Sequence, residues 1–325
     1  MEKIKFLTMA ALATAFFASC SNEDGLPQSN YPADNVVRIT TSIDGMNTRA
    51  SYGGSTAKLS SFGFCINNAG SDKYTYDNIK VTQENGKWNP ATQMLWQNST
   101  TAVDILAYAP YQANGNVKIF GKSDYAFSVK ADQSNAEDYL SDLIVYKQTG
   151  FTPGSELNTS KAVDVAFTHL LSQQNLTIEL RDQFNQDEKK PVTEATVTDV
   201  KVNGTIISSK VDFSASPISV QVDDTQEATA ITPETTEFKA AGKTTDHAAF
   251  NYSAIVIPQT VTAGNFSISF KVDGTDYIWT STSDVNFVSG NKHQLSLLVG
   301  KDVVQVKGIT ATPWGKENIT QGETD

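Results

Sequence analysis

The sequence predicts an all-β protein built from antiparallel sandwiches, and three observations carry that prediction. Val, Ile, Phe, Tyr and Thr alternate with polar residues in short runs. Asn, Asp, Gly, Ser and Pro separate those runs. No long window shows helical periodicity. Alternation at a period of two puts successive side chains on opposite faces of a strand. Short alternating runs between turn formers suit antiparallel sheets with one wet face.

The runs follow in order. Val36–Ile43 is the first, and Phe62, Phe64 and Ile66 share one face of the second. Then come Tyr74–Val81, Val103–Tyr108, Tyr125–Val129 and Asp142–Tyr146. A short helical turn is expected near Asn135–Tyr139. Leu176, Ile178 and Leu180 mark the next strand, followed by Val197–Val202, Ile218–Val222, Tyr252–Ile257 and Phe266–Val272. Tyr277–Trp279, His293–Leu297 and Val303–Ile309 close the series. Asp182–Pro191 and Asp223–Thr236 read as surface loops.

A boundary is expected within Lys161–Gln174, after the polar stretch Thr152–Ser160. It divides the chain into an N-terminal sandwich, 36–170, and a C-terminal sandwich, 171–325. Each half then holds about seven strands, enough for one sandwich. No short-period repeat points to a solenoid.

The start of the chain is a targeting segment. Lys3 and Lys5 precede the uncharged apolar run Phe6–Phe17. Small residues then lead into Cys20, and Ser21-Asn22-Glu23-Asp24 turns polar. This pattern is that of a secretory signal, 1–19, cleaved before Cys20. The run is too short for a transmembrane helix, which needs about 20 apolar residues. The leader resembles those of bacterial lipoproteins, in which the equivalent of Cys20 becomes the acylated first residue. Residues 20–35 are then a tether, and the outer membrane is the partner of the lipid on Cys20.

Composition narrows the function further. The net charge is -11, which argues against nucleic acid as a partner. Two cysteines, one of them Cys20, leave Cys65 alone and allow no disulfide framework. A buried, inert thiol is expected there. His169, His247 and His293 fit no metal-ligand spacing, and no nucleophile elbow or phosphate loop occurs. The acidic pairs Asp187-Glu188 and Asp223-Asp224 lie in polar loops and read as solvated surface. No enzyme, metal or cofactor is expected.

Three stretches carry a resemblance to the fimbrillin family. They are Val103-Asp104-Ile105-Leu106-Ala107-Tyr108-Ala109-Pro110-Tyr111, then Val165–Gln173 with Leu176–Leu180, then His293–Leu297 with Gly308–Trp314. Asn47-Thr48-Arg49-Ala50-Ser51 is similar to the family's early Thr-Arg-Ala element. The resemblance implies two tandem transthyretin-like β-sandwich domains. It implies a subunit, tip or anchor component of a surface fimbrium, with other fimbrial subunits as partners through β-strand addition. In polymerising members an arginine-specific protease cuts after the first strand, which removes the lipid and that strand.

The residues here agree with such a step. Val37, Ile39, Thr41 and Ile43 form one face of the first strand, and Val36, Arg38, Thr40 and Ser42 the other. Removing a strand of this kind uncovers apolar side chains and an unpaired backbone edge. Arg49 and Ala50 lie in Asp44–Thr56, rich in Gly, Ser, Asn and Thr, which suits proteolysis. The alternative is an ordinary surface arginine. After Trp314 the only large apolar residue is Ile319, so this tail is expected to be a poor donor strand. A rival reading is a surface lipoprotein that binds a glycan or host protein. Its platform would be Tyr74, Tyr76, Trp88, Trp96 and Tyr111, although aromatic residues of this kind also fill sandwich cores.

Overall fold

The computed structural model describes residues 30–43, 58–113, 118–135, 138–184, 191–241 and 247–314. The protein is all-β, and the helices among the described residues are single turns. The first strands are β1 (Ile39–Ile43), β2 (Ser61–Asn67), β3 (Tyr76–Glu84), β4 (Lys87–Pro90), β5 (Val103–Ala109), β6 (Tyr125–Ser128), β7 (Ile144–Phe151) and β8 (Val163–His169). There follow β9 (Ser172–Leu180), β10 (Val197–Asn203), β11 (Ser208–Asp212), β12 (Ser219–Val222), β13 (Glu234–Lys239) and β14 (Ala248–Val256). The last are β15 (Gln259–Val261), β16 (Ser267–Val272), β17 (Thr275–Thr280), β18 (Val285–Phe287), β19 (Asn291–Gly300) and β20 (Val303–Pro313).

A seven-stranded sheet has the order β1-β8-β7-β5-β2-β3-β4. Its strands run antiparallel to their neighbours except β1, which is parallel to β8. β7 and β8 pair only at Ile144–His169 and Val145–Thr168. Beyond that point the sheet splits, and β8 carries β1 away from β7. The curl brings β1 back towards β4, the opposite edge, where Trp88 Nε1 donates to Thr41 Oγ1 at 2.9 Å. One apolar cluster fills the enclosed space, including Val37, Ile39, Phe62, Phe64, Ile105, Val165 and Phe167.

The other face of this sheet is buried too. Cys65 on β2 and Leu106 and Tyr108 on β5 join a second, larger core. Burial on both faces explains why β5 reads as a nearly continuous apolar run instead of an alternating one. Around the second core lie a five-stranded sheet, β13-β14-β9-β19-β20, and two three-stranded sheets, β10-β16-β17 and β12-β11-β6. β15 and β18 pair by themselves. β6 comes from the first half of the chain, yet it pairs with β11 in register Tyr125–Val211 to Ser128–Ser208. The halves are therefore joined by main-chain hydrogen bonds as well as by side-chain packing.

Several segments differ from the expectation in detail. The Lys161–Gln174 stretch holds β8 and the start of β9, and residues 170 and 171 fall between them. β8 alternates strictly, with Val163, Val165, Phe167 and His169 buried. Asp223–Thr236 is not surface throughout, because Ile231 is fully buried and bridges to Val202. Of Asp182–Pro191, Asp182–Phe184 forms a 3-10 turn and 185–190 lie outside the described residues. The expected helical turn is a 3-10 turn at Asp138–Ser141.

Candidate strand-docking site

The candidate site is the edge occupied by β1. Its alternation makes it a strand with one dry face: Val37, Ile39 and Ile43 are buried, and Thr41 is half-buried on the same side. The run begins before the strand proper. Val36 forms an isolated bridge to Leu95, and Val37 N donates to Met94 O at 3.0 Å. From Ile39 to Ile43 the partner is β8, in register Ile39–Val163 to Ile43–Phe167. Among the described residues β8 is the only strand paired with β1 along this stretch, and no described strand pairs with its other backbone edge. A groove of about 780 Å³ lies between β1 and the β3–β4 hairpin, lined by Ile39, Thr41, Gln83, Trp88 and Pro90.

Beneath β1 the core is aromatic. Phe62 is fully buried and meets Trp88 edge-on at 5.0 Å and Phe167 at 5.4 Å. Burying a Val or Ile side chain contributes about 1.5–3 kcal/mol, so the three buried residues of the Val37–Ile43 segment account for most of its hold on the core. The outward face contributes less. Arg38 pairs with Asp34 at 2.6 Å, and its hydrogen bonds hold the Asp34 carboxyl down to about 2. Both groups are solvent-exposed, where ion pairs are weak. Thr40 Oγ1 accepts from Asn158 Nδ2 at 2.9 Å.

Residues 30–35 lie against this sandwich at several points. Asn30 Nδ2 donates to Leu157 O at 3.0 Å, and Trp96 N donates to Asn35 O at 2.8 Å. Cys20, Arg49 and Ala50 lie outside the described residues. Ile43 is the last described residue before the segment that holds Arg49.

Of the aromatic residues that a glycan platform would use, Trp96 belongs to the first core and Tyr76 and Trp88 pack against it. Trp96 is buried and stacks on Phe151 at 5.7 Å. Trp88 packs on Phe62. Tyr76 OH accepts from Leu95 N at 3.0 Å, while Tyr74 and Tyr111 lie under Lys73 and Lys80. Cys65 is buried, its Sγ accepts from Asn78 N at 3.1 Å, and burial pushes the thiol well above its ordinary value. Among the described residues no three His, Cys, Asp or Glu gather as metal ligands. No described helix is long and apolar enough to cross a membrane.

The histidines are separate. His169 pairs with Asp142, His247 lies 3.3 Å from Asp182, and His293 Nε2 accepts from Val288 N at 3.2 Å. Burial pushes His293 below its ordinary 6.5. The fold therefore holds this ring neutral where the unfolded chain has begun to take up a proton. Stability gained from His293 is present above about 6.5 and is lost as pH falls towards the lowered folded value. Urea unfolding at a series of pH values is expected to show a shallower acid-side decline for His293→Gln than for the native chain.

Residues 48–314 match the fimbrillin-like family. The chain belongs to that family. Its fold is shared with a candidate cell adhesion protein from Bacteroides uniformis ATCC 8492, at 19% identity and TM-score 0.56, over 87% of this chain and 99% of that one. A candidate cell adhesion protein from Bacteroides ovatus ATCC 8483 matches at 14% identity and TM-score 0.58, over 88% and 100%. A fimbrial protein from Bacteroides vulgatus ATCC 8482 matches at 15% identity and TM-score 0.52, over 86% and 99%. At these identities the likeness is one of fold. No curated protein matches. Membership of the fimbrillin-like family assigns the chain a fimbrial role at the cell surface, as a subunit or an accessory component.

Proposed function

We propose that this fimbrillin-like chain is a fimbrial component that is exported as a lipoprotein through Cys20 and assembles by strand exchange. Cleavage after Arg49 removes β1 together with the lipid, and a strand from another subunit takes the vacated edge. The observation that carries this reading is the position of β1. Among the described residues it is an edge strand with one strand partner, it has an apolar face over an aromatic core, and the chain leaves it directly into the segment that holds Arg49. An edge emptied in this way offers backbone donors and acceptors together with apolar pockets, which is what an added strand needs. In this reading the two cores are those of two tandem transthyretin-like domains, 36–170 and 171–325, with β6 crossing from the first to the second.

The test is the intact mass and N-terminal sequence of the protein recovered from its native cell surface. The expected N-terminus is Ala50 without lipid, and Arg49→Ala is expected to leave the chain uncut, with an acylated Cys20 first. An acylated Cys20 at the N-terminus of the native surface protein would overturn the strand-exchange part. It would favour a retained anchor or a lipoprotein that binds a host protein or glycan.

A further inference from the structure

We infer that the β1 edge selects the strand it accepts through two hydrogen-bond donors, Trp88 and Asn158, which require hydroxyl-bearing residues at two consecutive positions. The inference rests on the strand-exchange reading and names the chemistry of the partner: a strand with apolar residues two apart and a Ser/Thr pair in the places of Thr40 and Thr41.

The two donors come from opposite sides of the edge. Trp88 is on β4, and its Nε1 donates to Thr41 Oγ1 at 2.9 Å. Asn158 lies between β7 and β8, and its Nδ2 donates to Thr40 Oγ1 at 2.9 Å. Neither donor can change role. An indole N–H only donates. The Asn158 Oδ1 accepts Ser160 N at 2.9 Å and Ala162 N at 3.1 Å, which fixes the amide with its NH₂ towards Thr40. Trp88 is also held in place by its edge-on contact with Phe62.

Register shows why this matters. Sliding the strand by one residue turns Arg38, Thr40 and Ser42 onto the core, so alternation alone forbids it. Sliding by two keeps an alternating face inward, and alternation resists it far less. A slide by two in either direction brings Ile39 or Ile43 to the place of Thr41, and the Trp88 N–H then faces a hydrocarbon. A half-buried donor stripped of its acceptor loses its hydration without replacement. The apolar pockets therefore exclude odd slips, and the Trp88 donor excludes even ones. Asn158 adds to it in the slide that brings Arg38 to the place of Thr40, whereas the opposite slide offers Asn158 the Ser42 hydroxyl.

The test uses the full chain, cut within residues 44–57 at an inserted site for a sequence-specific protease, so that β1 stays bound as a separate fragment. Labelled peptides of residues 34–43 then compete for the edge, in the native sequence or with Thr40→Val or Thr41→Val. Valine matches threonine in shape and favours strands at least as well, so a purely apolar edge would take the variants equally or better. The native peptide is expected to exchange in, and each variant to bind about 10-fold more weakly. In Trp88→Phe protein the penalty for Thr41→Val is expected to vanish while that for Thr40→Val remains. Equal uptake of all three peptides by the native protein would overturn the inference and leave strand exchange standing. Failure of the native peptide to exchange while the cut fragment departs would overturn strand exchange itself. The peptide series on native protein carries the test if Trp88→Phe does not fold.

Discussion

Phe62→Ala is expected to lower stability by about 3–5 kcal/mol, the range for emptying a large aromatic site in a core that cannot collapse. Phe62 is fully buried and meets three other aromatic rings, Phe64 at 6.4 Å, Trp88 at 5.0 Å and Phe167 at 5.4 Å. Trp88 and Phe167 belong to β4 and β8, the strands on either side of β1. Their backbones are tied by strand pairing, Trp88 to Gln83 and Phe167 to Ile43, which limits how far either residue can move into the space. Urea unfolding monitored by tryptophan fluorescence gives the difference. A loss below about 1.5 kcal/mol would mean that the site does collapse. Beyond global stability, hydrogen exchange at Ile39–Ile43 is expected to quicken, because the cavity opens beneath the apolar face that holds β1.

The all-β class and the inward face of β1 were legible because both depend on local alternation. Val37, Ile39 and Ile43 point inward as their spacing requires. β8 was equally legible, since Val163, Val165, Phe167 and His169 alternate without a break, but it lies in the stretch expected as a boundary. β4 holds Trp88 as its only large apolar residue, so periodicity cannot find it. A turn signal could have done so: Asn85-Gly86, with φ of 52° and 74°, has the left-handed pair that a two-residue hairpin demands. β11 offered no such help. Among its residues only Val211 is a buried apolar, and its strand partners, β6 and β12, include one far away in sequence. The docking edge divides in the same manner. Cys20, Arg49 and Ala50 come from motifs, which are contiguous by nature. Trp88–Thr41 and Asn158–Thr40 join residues from separate strands and loops, so only the curl of the sheet brings them together.

Trp314→Ala is expected to cost about 3–5 kcal/mol, although the residue follows the last described strand. β20 is an edge strand with little burial of its own: Val303, Val306 and Ile309 are 42%, 42% and 60% exposed. Its hold comes from the β19 ladder and from its C-terminal end. There Trp314 is buried, its ring lies flat on His169 at 3.9 Å, and its backbone N donates to Gly290 O at 2.7 Å. His169 is in turn held by Asp142 at 2.9 Å, with both side chains inaccessible, and Lys292 lies over the indole at 5.9 Å. Ser289 Oγ donates to Leu170 O at 2.6 Å and Gly290 N to Leu171 O at 2.9 Å, which fastens the same turn to the β8–β9 connection. Loss of the indole therefore loosens both the end of β20 and the junction between the halves. Trp314→Phe keeps an apolar ring against His169 and is expected to lose much less. Ile309→Ala, at an exposed position of the same strand, is expected to stay within about 0.5 kcal/mol of the native chain. Urea unfolding of the three variants decides between the two sources of hold. If Trp314→Ala costs no more than Ile309→Ala, the ladder alone secures β20. If it costs several times more, with faster hydrogen exchange along Thr310–Pro313, the buried stack is the clasp that keeps the last strand in the sheet.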